Sequence, residues 1–297
     1  MIVILMKKIL YAAILLSLAK PASSFAQLKP PSVVSGSIDM AGASDEQLIG
    51  YTNHHDARVR VDAFSALVEK SHPACFSISL THLNDIAEID VKDGCFAETV
   101  MVGDAMIDKY APYLKTTNGI EEKQVRDSML LYTGAATLRS RSQLLQTMQP
   151  QESYYKRIRS LAVDEGDKNA LVALAKYRKV EDKAFFISKL RADGTDLGHA
   201  LFALSHFTDA DFMPHLERIY KRSRKTKRAS YLSELFRTIA AYGNDQSLAF
   251  LEKVYEQHKR RTQSPYLAAI LTATEERRDP LYAGLETQVK KTISKRL

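Results

Sequence analysis

Ala200-Leu201-Phe202-Ala203-Leu204-Ser205-His206-Phe207, followed by Asp209, Phe212, Met213, Leu216, Ile219 and Tyr220, is the stretch on which the fold turns. Thirty-five positions later the pattern returns as Leu235, Ile239, Tyr242, Asn244, Leu248, Leu251, Val254 and Tyr255. Thirty positions earlier it reads Ala170-Leu171-Val172-Ala173-Leu174-Ala175-Lys176-Tyr177, then Phe186, Lys189 and Leu190. A weaker copy follows in Leu267, Ile270, Leu271, Asp279, Leu281 and Leu285. From Leu161 to Lys291 the chain therefore repeats at a near-fixed period. Two helices fit in each period, which is the signature of an all-α solenoid whose units bury their apolar stripes against one another.

Composition agrees. Among 297 residues, 45% are hydrophobic and 26% charged, which excludes a disordered chain. Only 12 Gly and 9 Pro, no Trp, and abundant Ala, Leu, Lys and Arg favour helix over sheet.

The N-terminus bears on compartment. Lys7 and Lys8 form a basic opening, Ile9 to Ala19 a short apolar core, and Ser24-Phe25-Ala26 a small-residue cleavage site. Met6 makes a more usual start than Met1. The apolar run of about 11 residues is short of the roughly 18–20 that cross a bilayer. The reading is a signal peptide over 1–26, no membrane span after its removal, and a periplasmic or secreted protein. No Cys lies near the cleavage site, which argues against a lipoprotein. Cleavage removes Lys7, Lys8 and Lys20 and no acid, so the formal charge falls from +7 to +4. That mild excess suits an anionic surface without requiring nucleic acid.

Residues 27–43, with Pro30-Pro31-Ser32, read as a flexible lead-in. The solenoid is expected over 44–297. Breaks at Thr116–Gly119 and Gln149-Pro150 leave room for two subdomains meeting near 149–153. Ser44 is the expected N-cap of a short helix through Leu48, Ile49 and Tyr51, and Asn53-His54-His55 is a turn. Ile78–Ile89 and Phe96–Leu114 read as further helices. Val125–Met148 reads as one helix or as a hairpin kinked near Gly134, and Tyr154–Val163 opens the better-repeated half.

The second helix carries a specific pattern: Asp56, Val59-Arg60, Ala63 and Ala66-Leu67. It resembles the HEAT repeat. Asp56 can cap exposed backbone N–H groups, and Val59, Ala63 and Leu67 line one stripe. Ala63 and Ala66 are small enough for close helix approach. By the resemblance, Arg60 contacts a neighbouring repeat. Gln124-Val125-Arg126, with Leu130, Leu131 and Ala135, restores the pattern once. The resemblance implies a right-handed α-solenoid of about six to eight HEAT-like helix pairs.

Cys75 and Cys95 are the only cysteines. In an exported chain an even pair favours a disulfide, here closing a loop of about 20 residues for about 3 kcal/mol.

Sites of chemistry are scarce. The loop Asp90–Cys95 fails as a calcium loop, because Lys92, Gly94, Cys95 and Met101 stand where ligands and the turn glycine belong. His199, His206, Asp209, Asp211 and His215 would need to converge across two helices to hold a metal, and His54-His55 lie in a turn; neither is taken as a metal site. No nucleophile elbow, phosphate loop or dinucleotide fingerprint is present. No cofactor is expected, and the chain is read as a non-enzyme.

Basic segments offer more. Lys221, Arg222, Arg224, Lys225, Lys227 and Arg228 follow the second helix of one unit; Lys259, Arg260 and Arg261 follow that of the next, and Lys290-Lys291 ends the last. Equivalent loops of a solenoid stack along one edge, so these would form a positive ridge for a protein or an anionic envelope component. Aromatic residues able to stack bases are not interleaved with them. The expectation is a binding or scaffold module of the cell envelope working through a concave face or this edge. An immunity or inhibitor protein against a toxin or cell-wall enzyme, and a degenerate enzyme on a helical scaffold, stand as alternatives.

Overall fold

Local capping sets the first two helices. The computed structural model describes residues 38–93, 96–115, 119–225, 230–261 and 264–295. The signal peptide, most of the lead-in, Cys95, Lys227 and Arg228 lie outside the described residues. Ser44 Oγ accepts from Gln47 N at 3.3 Å while Gln47 Oε1 accepts from Ser44 N at 2.9 Å, a reciprocal box that starts α1 (Asp45–Tyr51). Asp56 accepts from Arg58 N at 2.8 Å and starts α2 (Ala57–Glu69). Arg60, the pivot of the HEAT-like pattern, bonds the His54 carbonyl at 2.8 Å and reaches Asp85 at 2.8 Å, beyond α3 (Cys75–Thr81).

The next segment departs from the sequence reading. Ile78–Ile89 and Phe96–Leu114 are not two helices. The chain forms an antiparallel hairpin, β1 (Glu88–Asp93) with β2 (Phe96–Met101), and helix resumes only in α4 (Val102–Tyr110). Ile89 pairs directly with Val100, and both are buried against the core of α1 to α4. The Asp90 carboxylate accepts from Thr99 Oγ1 at 2.9 Å on the adjoining rung. β-branched residues on alternate positions pack well on a pleated surface, and that local gain outweighs the weak helical spacing of Ile86 and Ile89.

The rest is helical: α5 (Gly119–Tyr132), α6 (Arg139–Thr147), α7 (Glu152–Val163), α8 (Lys168–Lys176), α9 (Lys183–Lys189), α10 (Gly194–Leu204), α11 (Met213–Ser223), α12 (Leu232–Ala240), α13 (Asp245–His258), α14 (Pro265–Arg277) and α15 (Ala283–Ser294). The break between α5 and α6 falls at the expected glycine. A side chain at Gly134 would meet the Leu130 carbonyl at 2.8 Å, so the chain closes on itself too tightly for any other residue. Among the described residues the fold is predominantly helical, with one small hairpin. None of the described helices is long and apolar enough to cross a membrane.

Packing has a simple order. α2, α4, α6, α8, α10, α12 and α14 form a row in which each helix packs on the next even-numbered one, and α7, α9, α11, α13 and α15 flank it. Buried Ala170, Ala173, Ala200, Ala203 and Ala240 let this row pack closely, while Leu171, Leu174, Leu201, Leu204, Leu235 and Ile239 fill the space between. Short 3₁₀ turns at Val180–Asp182, Ala210–Phe212 and Pro280–Tyr282 lead into α9, α11 and α15. Asp209 and Asp279 cap two of these turns, and Asn244 caps α13 at the corresponding place. Polar ties link successive units: Tyr242 Oη donates to the Asp209 carbonyl at 2.7 Å and Tyr282 Oη to the Ala240 carbonyl at 3.0 Å. Residues Met40–Leu297 form one unit.

Cys75 is a buried thiol in α3, unbridged among the described residues; Cys95, its expected partner, lies outside them. Burial pushes the Cys75 thiol up to about 11.

Candidate functional site

Two surfaces merit description: a cleft over α4, α5 and α6, and the basic edge.

The cleft is built around a buried carboxylate. Asp104, on α4, accepts from the backbone N–H groups of Arg139 at 2.8 Å and Ser140 at 2.9 Å. These are the opening residues of α6, whose own preceding residue, Leu138, offers no capping group. A side chain at Gly103 would meet the His82 carbonyl at 2.8 Å, so glycine lets α4 seat against that segment. On α6, Arg141 is buried and donates to the Gly134 carbonyl at 2.8 Å. The turn that joins α5 to α6 is thereby fixed.

Between these helices and residues 148–151 lies a cleft of about 630 Å³. Ile107, Leu130, Leu144 and Met148 supply its apolar lining; Gln124, Gln143, Gln149 and Gln151 supply side-chain amides. Arg126 and Asp127 pair with each other at 2.8 Å inside it. Asp108 lies at its margin, bonded to Arg139 at 2.5 Å, with Glu98 on the same guanidinium at 2.7 Å. Burial pushes the Asp108 carboxyl up against the pull of Arg139. Two of the cleft's acids are thus matched by arginines, and Lys123 adds a further positive charge to the lining. Its dominant chemistry is the amide group, which both donates and accepts.

Sequence reasoning passed over these glutamines. Their signal was compositional: Gln143, Gln146, Gln149 and Gln151 crowd into nine residues.

The basic edge is partly assembled and partly neutralised. Lys221 and Arg222 occupy the last turn of α11, with Arg224 and Lys225 exposed just beyond it. Lys259, Arg260 and Arg261 follow α13. The two segments meet over a buried polar cluster. Tyr220 Oη lies 3.1 Å from His258 Nε2, and the His258 ring stacks on Tyr266 at 4.0 Å. Burial pushes the His258 imidazole down to about 4, with Arg261 and Arg224 adding to the effect. Several edge cations are already engaged. Arg222 pairs with Asp193 at 3.0 Å, Lys259 with Glu256 at 2.6 Å, and Lys290 with Glu275 at 2.8 Å. The remaining cations sit at helix C-termini, where the backbone dipole is negative and offsets part of their field.

The histidines weighed for metal are dispersed. His199 Nδ1 lies 2.7 Å from the Thr195 carbonyl, and His206 packs edge-on against Phe202. Asp209 and Asp211 share Lys183, at 2.8 Å each. Among the described residues no group of three or more His, Cys, Asp or Glu side chains could hold a metal ion.

The chain matches no family model, no curated protein and no solved structure.

Proposed function

We propose that the protein is a non-enzymatic binding module of the cell envelope, exported and then periplasmic or secreted. In this reading it is a right-handed α-solenoid of HEAT-like helix pairs, and its cleft holds an extended segment of a partner protein. The observation that carries the proposal is the pairing of four glutamine amides with an apolar lining in a space of about 630 Å³. An extended peptide presents N–H and C=O groups along its length and side chains at alternate positions. Glutamine amides complete the first, and Ile107, Leu130, Leu144 and Met148 take the second. The volume lies within the usual range for ligand clefts. Arg126 and Asp127 pair with each other, and Asp108 with Arg139, so Lys123 is the lining charge left to favour a segment with at most one acidic group.

The test places a photo-crosslinking residue at Gln143 and, as control, at Glu217 on α11. A partner peptide captured at Gln143, absent at Glu217 and lost when Gln124→Ala and Gln151→Ala are added supports the cleft. Equal capture at both positions overturns it.

A further inference from the structure

A second concavity lies elsewhere, between the C-terminal end of α9 and one face of α11. It has a volume of about 150 Å³ and is lined by Leu190, Arg191, His215, Arg218, Ile219 and Arg222. His215, Arg218 and Arg222 stand at i, i+3 and i+7 of α11, so the helix presents them on one side. Arg191 arrives from the preceding unit. Three arginines and a histidine therefore border one small, largely apolar hollow with room for roughly five waters at about 30 Å³ each.

Like charges gathered this closely repel, and ordinary surfaces separate them or interleave acids. Only one acid is engaged here. Asp193, itself largely exposed, pairs with Arg222 at 3.0 Å, and the same guanidinium donates to the Ala192 carbonyl at 2.9 Å. Those two bonds fasten the loop after Arg191 to α11 and hold Arg222 in place before any ligand arrives. Arg191, His215 and Arg218 make no ion pair among the described residues. Arg222 Nε is buried without a hydrogen-bond partner. Buried donors are nearly always satisfied, and each exception asks for an acceptor.

We infer that this pocket, formed by Arg191, His215, Arg218 and Arg222, is a binding site for a tetrahedral phosphate group. The planar guanidinium fork matches phosphate oxygens in a bidentate manner, and Leu190 and Ile219 reduce competing water at the contact. The size admits one phosphate with a short substituent and not a nucleotide. Inorganic phosphate and the headgroup of a phosphatidic lipid present the same chemistry. The site is independent of the cleft over α4 to α6, so the two proposals stand or fall separately.

Calorimetry of the full chain with inorganic phosphate, and sedimentation with vesicles of phosphatidylcholine alone or with phosphatidic acid, tests the inference. Saturable binding at one site per chain is expected. Arg191→Gln with Arg218→Gln is expected to weaken it at least tenfold, whereas Lys225→Gln with Arg260→Gln, which removes the same charge, leaves it within twofold. Arg218→Lys keeps the charge but loses the fork and falls between, with an unchanged circular-dichroism spectrum to show that it folds. Binding of phosphate alone identifies a soluble ligand; binding confined to phosphatidic vesicles identifies the headgroup. Neither, or an equal loss in both double variants, overturns the proposal.

Discussion

Asp104 caps a helix that it does not belong to: its carboxylate, on α4, receives the Ser140 backbone N–H at 2.9 Å and the Ser140 hydroxyl at 2.6 Å across 36 positions of sequence. With only 3% exposure this carboxylate is sealed from water. Asp104→Ala leaves the first N–H groups of α6 buried and unbonded, and the expected loss is about 2–4 kcal/mol. Asp104→Asn retains one acceptor and is expected to lose about half as much. Urea midpoints at constant m-value measure both. An unchanged midpoint in the alanine variant would sink the account of how α6 is held.

His258 ties stability to acidity. It is 1% exposed, and burial lowers its imidazole from the ordinary value near 6.5 to about 4, with Arg261 and Arg224 adding to the effect. The folded state thus holds the neutral ring, and the unfolded chain binds the proton more readily. Stability is full above about pH 6.5 and falls as pH drops toward 4, by about 3 kcal/mol. His258→Gln removes that share of the slope. Thermal melts of both proteins at pH 7.5, 6, 5 and 4 should converge at the acid end.

Cys75 is sheltered chemically as well as sterically. With its thiol raised to about 11 by burial, little thiolate forms at neutral pH. Iodoacetamide at pH 8 is expected to leave the folded protein unlabelled at Cys75 and to alkylate it in urea without any reductant. Failure to label in urea until reductant is added would establish the disulfide expected from the sequence.

Asp182 is the most deeply placed acid described, at 1% exposure. It accepts from Tyr155 Oη at 2.9 Å and Arg159 Nε at 2.9 Å. Burial pushes the Tyr155 phenol well above its ordinary range, with Glu181 and Asp182 reinforcing the shift. Removing the acid alone leaves the phenol with Glu181, at 2.6 Å, as its acceptor and frees the guanidinium, so Asp182→Ala is expected to cost about 1–2 kcal/mol. Asp182→Leu with Tyr155→Phe removes both polar partners at the buried end and should recover at least half. A double-mutant cycle in urea gives the coupling.

Much of this architecture was written locally. The 3.6-residue spacing of Leu197, Leu201 and Leu204, the caps at Ser44, Asp56, Asp209 and Asn244, and the return of the pattern near every 35 residues all concern neighbours in the chain. The hairpin was not written that way. Ile89 finds Val100 only across a turn, and four or five alternating residues resemble a short helix until a partner strand is present. The same holds for the surfaces. Gln124 lies on α5 and Gln151 just ahead of α7, and Arg191 and Arg218 are 27 positions apart; nothing in either's own sequence neighbourhood announces the other. His215, Arg218 and Arg222 were legible as one helix face. Their meaning depended on Arg191.

The row of even-numbered helices has a consequence for how the chain is made. Each member docks on a predecessor already synthesised, as Thr238 on α12 does when its hydroxyl bonds the Leu201 carbonyl of α10, 37 residues back. No described layer waits for a segment from the far end. A nascent chain can lay down its core in the order of translation, with one unpaired helix face open at a time, and the exposure to misassociation during synthesis is confined to that single moving front.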